Sequence, residues 1–153
     1  MDKVTPTDIF DQLVEAVPKE FHRNIIVVGS VAAGYHFFHN EPGKRFVRTK
    51  DIDCLLAPRK EAVHSAEVVT KELLGRGWRH KEGWDPGTVE TDTDNLPAIR
   101  LRPPQTDVTW FCELLAVPAR SAHGKQWLRV SLGEDHYGLP SFEFMALTSY
   151  EPL

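Results

Sequence analysis

The chain has little cysteine, no excess of positive charge and no long hydrophobic run, and each shortage removes a class of protein. Cys54 and Cys112 are the only cysteines among 153 residues, and each is embedded in an apolar, strand-like stretch. Two such residues cannot build a disulfide framework or a cysteine zinc site, and they read as small buried hydrophobes. No segment approaches the ~18 apolar residues of a membrane helix, and residues 1–6 lack the apolar stretch of a secretory signal. The expectation is a cytoplasmic protein with no membrane partner. Lys and Arg total 18 against 22 Asp and Glu, a formal charge of −4, so no global basic field draws the chain onto nucleic acid. Any such binding has to be local. With 41% hydrophobic residues over this length, the chain holds enough for one domain with its own core and too little for two.

What is present first is punctuation. Thr5-Pro6-Thr7-Asp8 offers an N-cap, a proline suited to the first helical position and an acid three residues on, and Ile9, Leu13, Ala16 and Val17 follow at helical spacing. This predicts a helix over 6–17, ended by Pro18, and then a buried strand over 24–28. Gly29-Ser30 opens a second predicted helix over 31–38, and a polar, basic connection over 40–49 leads into an Asp51–Leu56 strand stopped by Pro58. A third helix over 59–74 carries Ala62, Ala66, Val69 and Leu73 on one face, with Gly75 as its C-terminal cap. Short strands over 77–81, 98–102, 108–117 and 127–132 follow, and a last helix is expected to begin at Ser141. Helix and strand alternate early and strands cluster late, so the expected class is α/β (α+β), a mixed β-sheet flanked by helices.

The chemistry gathers at Asp51-Ile52-Asp53. Carboxylates two positions apart on a strand point to the same side, about 6.6 Å apart along it. Facing each other beside buried Ile52, Cys54 and Leu55, they repel unless a cation or a proton intervenes, and the cation they suit is Mg2+ or Mn2+. Glu113 lies between apolar neighbours in the 108–117 strand, where an unpaired acid is costly, so its side chain must meet a cation. Asp107 shares its parity and takes the role if the register differs. Gly29-Ser30, at a strand end and helix start, presents backbone N–H groups and a hydroxyl suited to an anion. Basic residues concentrate at Lys44, Arg45, Arg48 and Lys50 and again at Arg100 and Arg102; the first group has an equally plain reading as a solvated loop.

Gly-Ser after an apolar strand, Asp-x-Asp on the next strand and a further acid on a later one resemble the DNA polymerase beta-like nucleotidyltransferase superfamily. Arg48-Thr49-Lys50-Asp51-Ile52-Asp53-Cys54-Leu55-Leu56 is similar to its small bacterial members, including the abortive-infection type II toxin branch, and the resemblance covers about residues 24–117. It implies a nucleotidyltransferase palm that moves a nucleoside monophosphate from a nucleoside triphosphate, such as ATP, to a hydroxyl acceptor: RNA, protein or a small molecule. It also implies that Gly29 and Ser30 hold the phosphates, that Asp51 and Asp53 bind the metals, and that Glu113 binds the ion nearer the acceptor and helps activate the attacking group. Arg45, Arg48 and Lys50 would then offset triphosphate charge. Larger relatives carry a helical domain after the palm, and the corresponding expectation is a truncated helical region after about residue 140.

Rival readings stay open at this point. The same scaffold serves a catalytically inactive module that binds nucleotide or protein, and the same acids serve a metal-dependent nuclease. His36 and His39 sit three apart on the second predicted helix and read as packing or surface residues, while Asp85, Glu90, Asp92 and Asp94 form a solvent-facing acidic segment. Trp78, Trp84, Trp110 and Trp127 are expected as core or interface anchors rather than a base-stacking platform. Gly29 to Gly34, Gly-x-x-x-x-Gly, invites a dinucleotide-fold reading, but it lacks the Gly-x-Gly start and any acid at the expected ribose distance on a second parallel strand.

Overall fold

A computed structural model describes residues 5–28, 51–105, 108–118, 127–141 and 150–152. Helix α1 (Pro6–Ala16) begins as its cap sequence dictates. Asp8 N donates to Thr5 Oγ1 at 3.2 Å and Thr5 N donates to Asp8 Oδ2 at 3.0 Å, a reciprocal capping box with Pro6 just inside it. Its buried face is Ile9, Phe10, Leu13 and Ala16. Residues Lys19–Asn24 form a 3-10 turn where the sequence suggested a plain loop, so strand β1 (Ile25–Val28) starts one residue later than expected. Buried Asn24 ties this corner down, since its Nδ2 donates to Ala57 O at 3.0 Å and its carbonyl accepts from Ala57 N at 2.9 Å.

Strand β2 (Asp51–Leu56) spans the expected residues, and helix α2 (Arg59–Gly75) follows with Ala62, Ser65, Ala66, Val69, Thr70 and Leu73 buried. The C-terminal signal differs from expectation. Gly75 is the last helical residue, and the left-handed cap is Gly77, at φ +93°, with Gly77 N donating to Leu74 O and Trp78 N to Leu73 O. That Schellman pattern selects the glycine whose successor, Trp78, is buried and draws the chain back over the helix end.

The remaining strands are β3 (Arg79–His80), β4 (Arg100–Arg102), β5 (Phe111–Ala116), β6 (Leu128–Leu132), β7 (Asp135–Leu139) and β8 (Tyr150–Pro152). Six strands form one sheet in the order β3-β4-β5-β2-β1-β8, and β6-β7 form a second, two-stranded sheet. β2 and β5 are parallel while the other pairs in the large sheet are antiparallel, so the fold is a mixed α/β arrangement. The sequence predicted no β7 and no β8. β7 closes a hairpin through a two-residue turn, Gly133-Glu134, with Gly133 at φ +65°, as a type II′ turn requires.

Strand alternation divides the side chains of the large sheet. Ile25, Val27, Ile52, Cys54, Leu56, Leu101, Cys112, Leu114 and Ala116 join α1 and α2 in one buried cluster. The opposite parity carries Val28, Leu55 and Leu115, a small second cluster, and above it the acids. Both cysteines are free and buried, on the helix-covered side, as expected of small hydrophobes. A hydrogen bond with Cys112, together with burial, pushes the Cys54 thiol far up. The helix predicted over 31–38 lies outside the described residues, as do residues 142–149 of the one expected from Ser141; Ser141 itself makes a parallel bridge with Ala116, and residues 150–152 are strand.

Candidate metal centre

The site follows from two strand patterns brought into register. β2 places Asp51 and Asp53 on the face away from the helices, and β5 places Phe111 and Glu113 there. Parallel pairing sets Asp51 against Phe111 and Asp53 against Glu113, and β4 sets Arg100 against Glu113 on the other side. A row of cross-strand neighbours results, Val28, Asp53, Glu113 and Arg100, at the ~4.8 Å spacing of adjacent strands. Carboxylate oxygens of Asp51, Asp53 and Glu113 all lie within 4.8 Å of one another. Asp51 is exposed, while Asp53 and Glu113 are half-buried.

Burial above all, then the charges of Asp51 and Glu113, pushes the Asp53 carboxyl up to about 6 from a usual value of 3.8. Glu113 has a counter-ion: Arg100 approaches its Oε1 with Nη2 at 3.0 Å and Nε at 3.2 Å. The cation that Glu113 had to meet is therefore, in the protein itself, a guanidinium from the neighbouring strand. Among the described residues, the one guanidinium paired with these three carboxylates is that of Arg100. An all-oxygen, anionic donor set of this kind fits hard divalent cations such as Mg2+ and Mn2+.

The raised carboxyl has a consequence for metal uptake. Asp53 must lose its proton to ligate, so affinity is set by its ionised fraction. Mn2+ titrations at pH 7 and pH 5 are expected to differ roughly tenfold, the ratio that a carboxyl titrating near 6 imposes. A carboxyl at its usual value would leave the two affinities nearly equal.

Gly29, Ser30, Arg45, Arg48, Lys50 and Asp107 lie outside the described residues, as do His36 and His39. β1 ends at Val28, paired with Asp53, so Gly29 follows in sequence the residue beside the acids. Asp85, Glu90, Asp92 and Asp94 are solvent-exposed, as expected. Trp78 and Trp110 are buried, packed edge to face with ring centres 5.8 Å apart. Trp84 is not a core residue: it is 54% exposed, and the Arg100 guanidinium lies 4.4 Å above its ring. Arg100 was visible in the sequence only as a basic residue; its alternation with Ile99 and Leu101 is the signal that puts it on the face of the acids. No protein-family model, no curated protein and no solved structure matches the chain.

Proposed function

We propose that the chain is the palm of a metal-dependent nucleotidyltransferase of the DNA polymerase beta-like superfamily, moving a nucleoside monophosphate from a nucleoside triphosphate to a hydroxyl acceptor. The observation that carries this reading is the convergence of Asp51, Asp53 and Glu113, from two parallel strands, to within 4.8 Å on one sheet face. A bound Mg2+ or Mn2+ would neutralise phosphate charge and lower the pKa of an acceptor hydroxyl. Asp51 and Asp53 are the residues that would hold the ion, with Glu113 as a third ligand on the acceptor side. Glu113, fixed by Arg100, would orient the acceptor hydroxyl and take its proton, while Arg100 limits the negative charge that the nucleotide meets. Gly29 and Ser30 would bind the phosphates, and Arg48 and Lys50 would balance them. No described helix is long and apolar enough to cross a membrane; a cytoplasmic location is part of the proposal.

One observation favours a second reading. Arg100 already occupies Oε1 of Glu113, as it would in a catalytically inactive module that binds nucleotide without turning it over. Incubation with Mg2+, RNA and nucleoside triphosphates labelled at the α-phosphate separates the two. The transferase reading expects labelled RNA and released pyrophosphate, both lost in Asp51→Asn and Glu113→Gln. Nucleotide bound but never transferred supports the inactive module. RNA cut without added nucleotide supports a nuclease and overturns the proposal.

A further inference from the structure

The face that carries the acids continues across β5 and β4 to the β3 edge, and its chemistry changes on the way. Phe111, two residues before Glu113, has Lys81 Nζ 5.0 Å and the Arg102 guanidinium carbon 6.0 Å from its ring centre. Arg102 is the cross-strand neighbour of Arg79, and Lys81 N donates to Arg100 O at 2.9 Å. Arg100 and Arg102 on β4, Arg79 on β3 and Lys81 just after it thus lie beside the acids. They are partly engaged: Arg102 pairs with Glu82 at 3.0 Å and Arg79 donates to Pro103 O at 3.3 Å. Trp84 closes this strip with one ring face toward Arg100 and just over half its surface in solvent.

A large aromatic ring left in water beside cations has the makings of a stacking surface, because every nucleobase offers a π-face and every linking phosphate a charge. The loop bearing Trp84 is also anchored. Gly87 and His136 exchange two backbone hydrogen bonds of 2.9 Å, and Arg129 donates to the carbonyls of Thr88 and Thr91. A platform fixed before binding loses little conformational freedom when a base stacks on it. The strands β5, β4 and β3 together span about 10 Å, close to the axial length of about three stacked nucleotides. With a net charge of −4, the chain can attract a polyanion only locally, at concentrations of basic residues such as this strip.

We propose that the strip formed by Trp84, Phe111, Arg79, Lys81, Arg100 and Arg102 binds a short single-stranded nucleic-acid segment and delivers its hydroxyl to the acids, making that strand the acceptor. This rests on the transferase reading. In the transfer, the acceptor oxygen bonds to the α-phosphorus of the triphosphate and the bond from that phosphorus to the bridging oxygen breaks. Pyrophosphate departs with the bonding pair, and the hydroxyl proton passes to Glu113 and on to solvent.

Fluorescence anisotropy of labelled 12-nucleotide single strands, RNA and DNA, tests the strip, with Mn2+ uptake measured on the same samples. Wild type is expected to bind, Trp84→Ala about tenfold more weakly, as befits the loss of one stacked base, and Trp84→Phe close to wild type. Lys81→Gln is expected to lower the salt dependence by about one phosphate contact. Absence of oligonucleotide binding, binding that Trp84→Ala leaves unchanged, or equal competition by a duplex or by heparin overturns the strip. Mn2+ uptake without oligonucleotide binding removes the strip and leaves the metal centre standing. Oligonucleotide binding without Mn2+ uptake removes the metal centre and supports the strip as a binding surface alone.

Discussion

Asp53→Asn is expected to abolish divalent-metal binding and, at neutral pH, to stabilise the metal-free fold. Both effects have one cause. Asp53 is partly buried on a central strand, with Asp51 and Glu113 beside it, and holds its proton up to about pH 6 rather than 3.8. A carboxyl whose folded pKa is raised contributes stability that is fully present below pH ~3.8 and is lost as the pH climbs through about 6. Above that window the ionised side chain burdens the fold. Asparagine keeps the shape without the charge, and after allowance for partial exposure the gain is about 1–2 kcal/mol at pH 7.5. For a chain of this size that is roughly 3–6 °C in the thermal midpoint. At pH 4 the gain should vanish, because the native acid is then neutral as well. Loss of a ligand from the centre should weaken Mn2+ by more than the ~10- to 100-fold that loss of a supporting contact costs a metal site. Thermal melts in chelator at the two pH values, with Mn2+ titrations alongside, check both halves. A mutant less stable than wild type at both pH values would mean that burial and the neighbouring acids do not penalise the ionised Asp53.

Arg100→Met is the second large effect, and it runs in opposite directions for fold and site. The pair it breaks is largely shielded: the Arg100 and Glu113 side chains are 23% and 16% exposed. Removing the guanidinium leaves Glu113 half-buried and uncompensated beside two further acids, and the cost is expected near 2 kcal/mol, below that of a fully buried pair. The Arg100→Met/Glu113→Gln double mutant should recover most of it, since no orphan charge remains. Meanwhile the triad loses the cation that competes with a metal, so Mn2+ affinity should rise a few-fold. Chemical denaturation of the single and double mutants reads the coupling, and metal titration reads the competition. Weaker Mn2+ binding by a folded Arg100→Met protein would mean that the arginine positions Glu113 for the metal and does not compete with it.

What could be read in advance was local. The capping box at Thr5 and Asp8, the small-residue face of α2 and the alternation of Asp-Ile-Asp-Cys-Leu-Leu each lie within a few residues, and each element forms where those signals put it. What could not be read depends on distant partners. The tetrapeptide Leu-Gly-Arg-Gly offers two glycines as caps, and the choice of Gly77 follows from Trp78 docking in the core. Asp135–Leu139 contains Asp, His and Gly and looks like loop until β6 and Pro97 supply its hydrogen-bond partners. Tyr150–Pro152 becomes a strand only by pairing with β1. The site divides the same way. The shared face of Asp51 and Asp53 is a property of one strand, whereas the register that brings Glu113 beside Asp53, and Arg100 beside Glu113, is set by three strands meeting. Nor did the sequence say whether Trp84 was a core or an interface anchor: it sits exposed in a loop, held by an arginine from another strand.

The most direct test of the centre is anomalous scattering from crystals of the protein soaked in Mn2+ with a non-hydrolysable nucleoside triphosphate. The account predicts Mn2+ peaks within ~2.0–2.3 Å of oxygens from Asp51 and Asp53, with Glu113 on the same ion or a neighbouring one. An absence of peaks between these three carboxylates, with Glu113 bonded to Arg100 alone at saturating Mn2+, would contradict it.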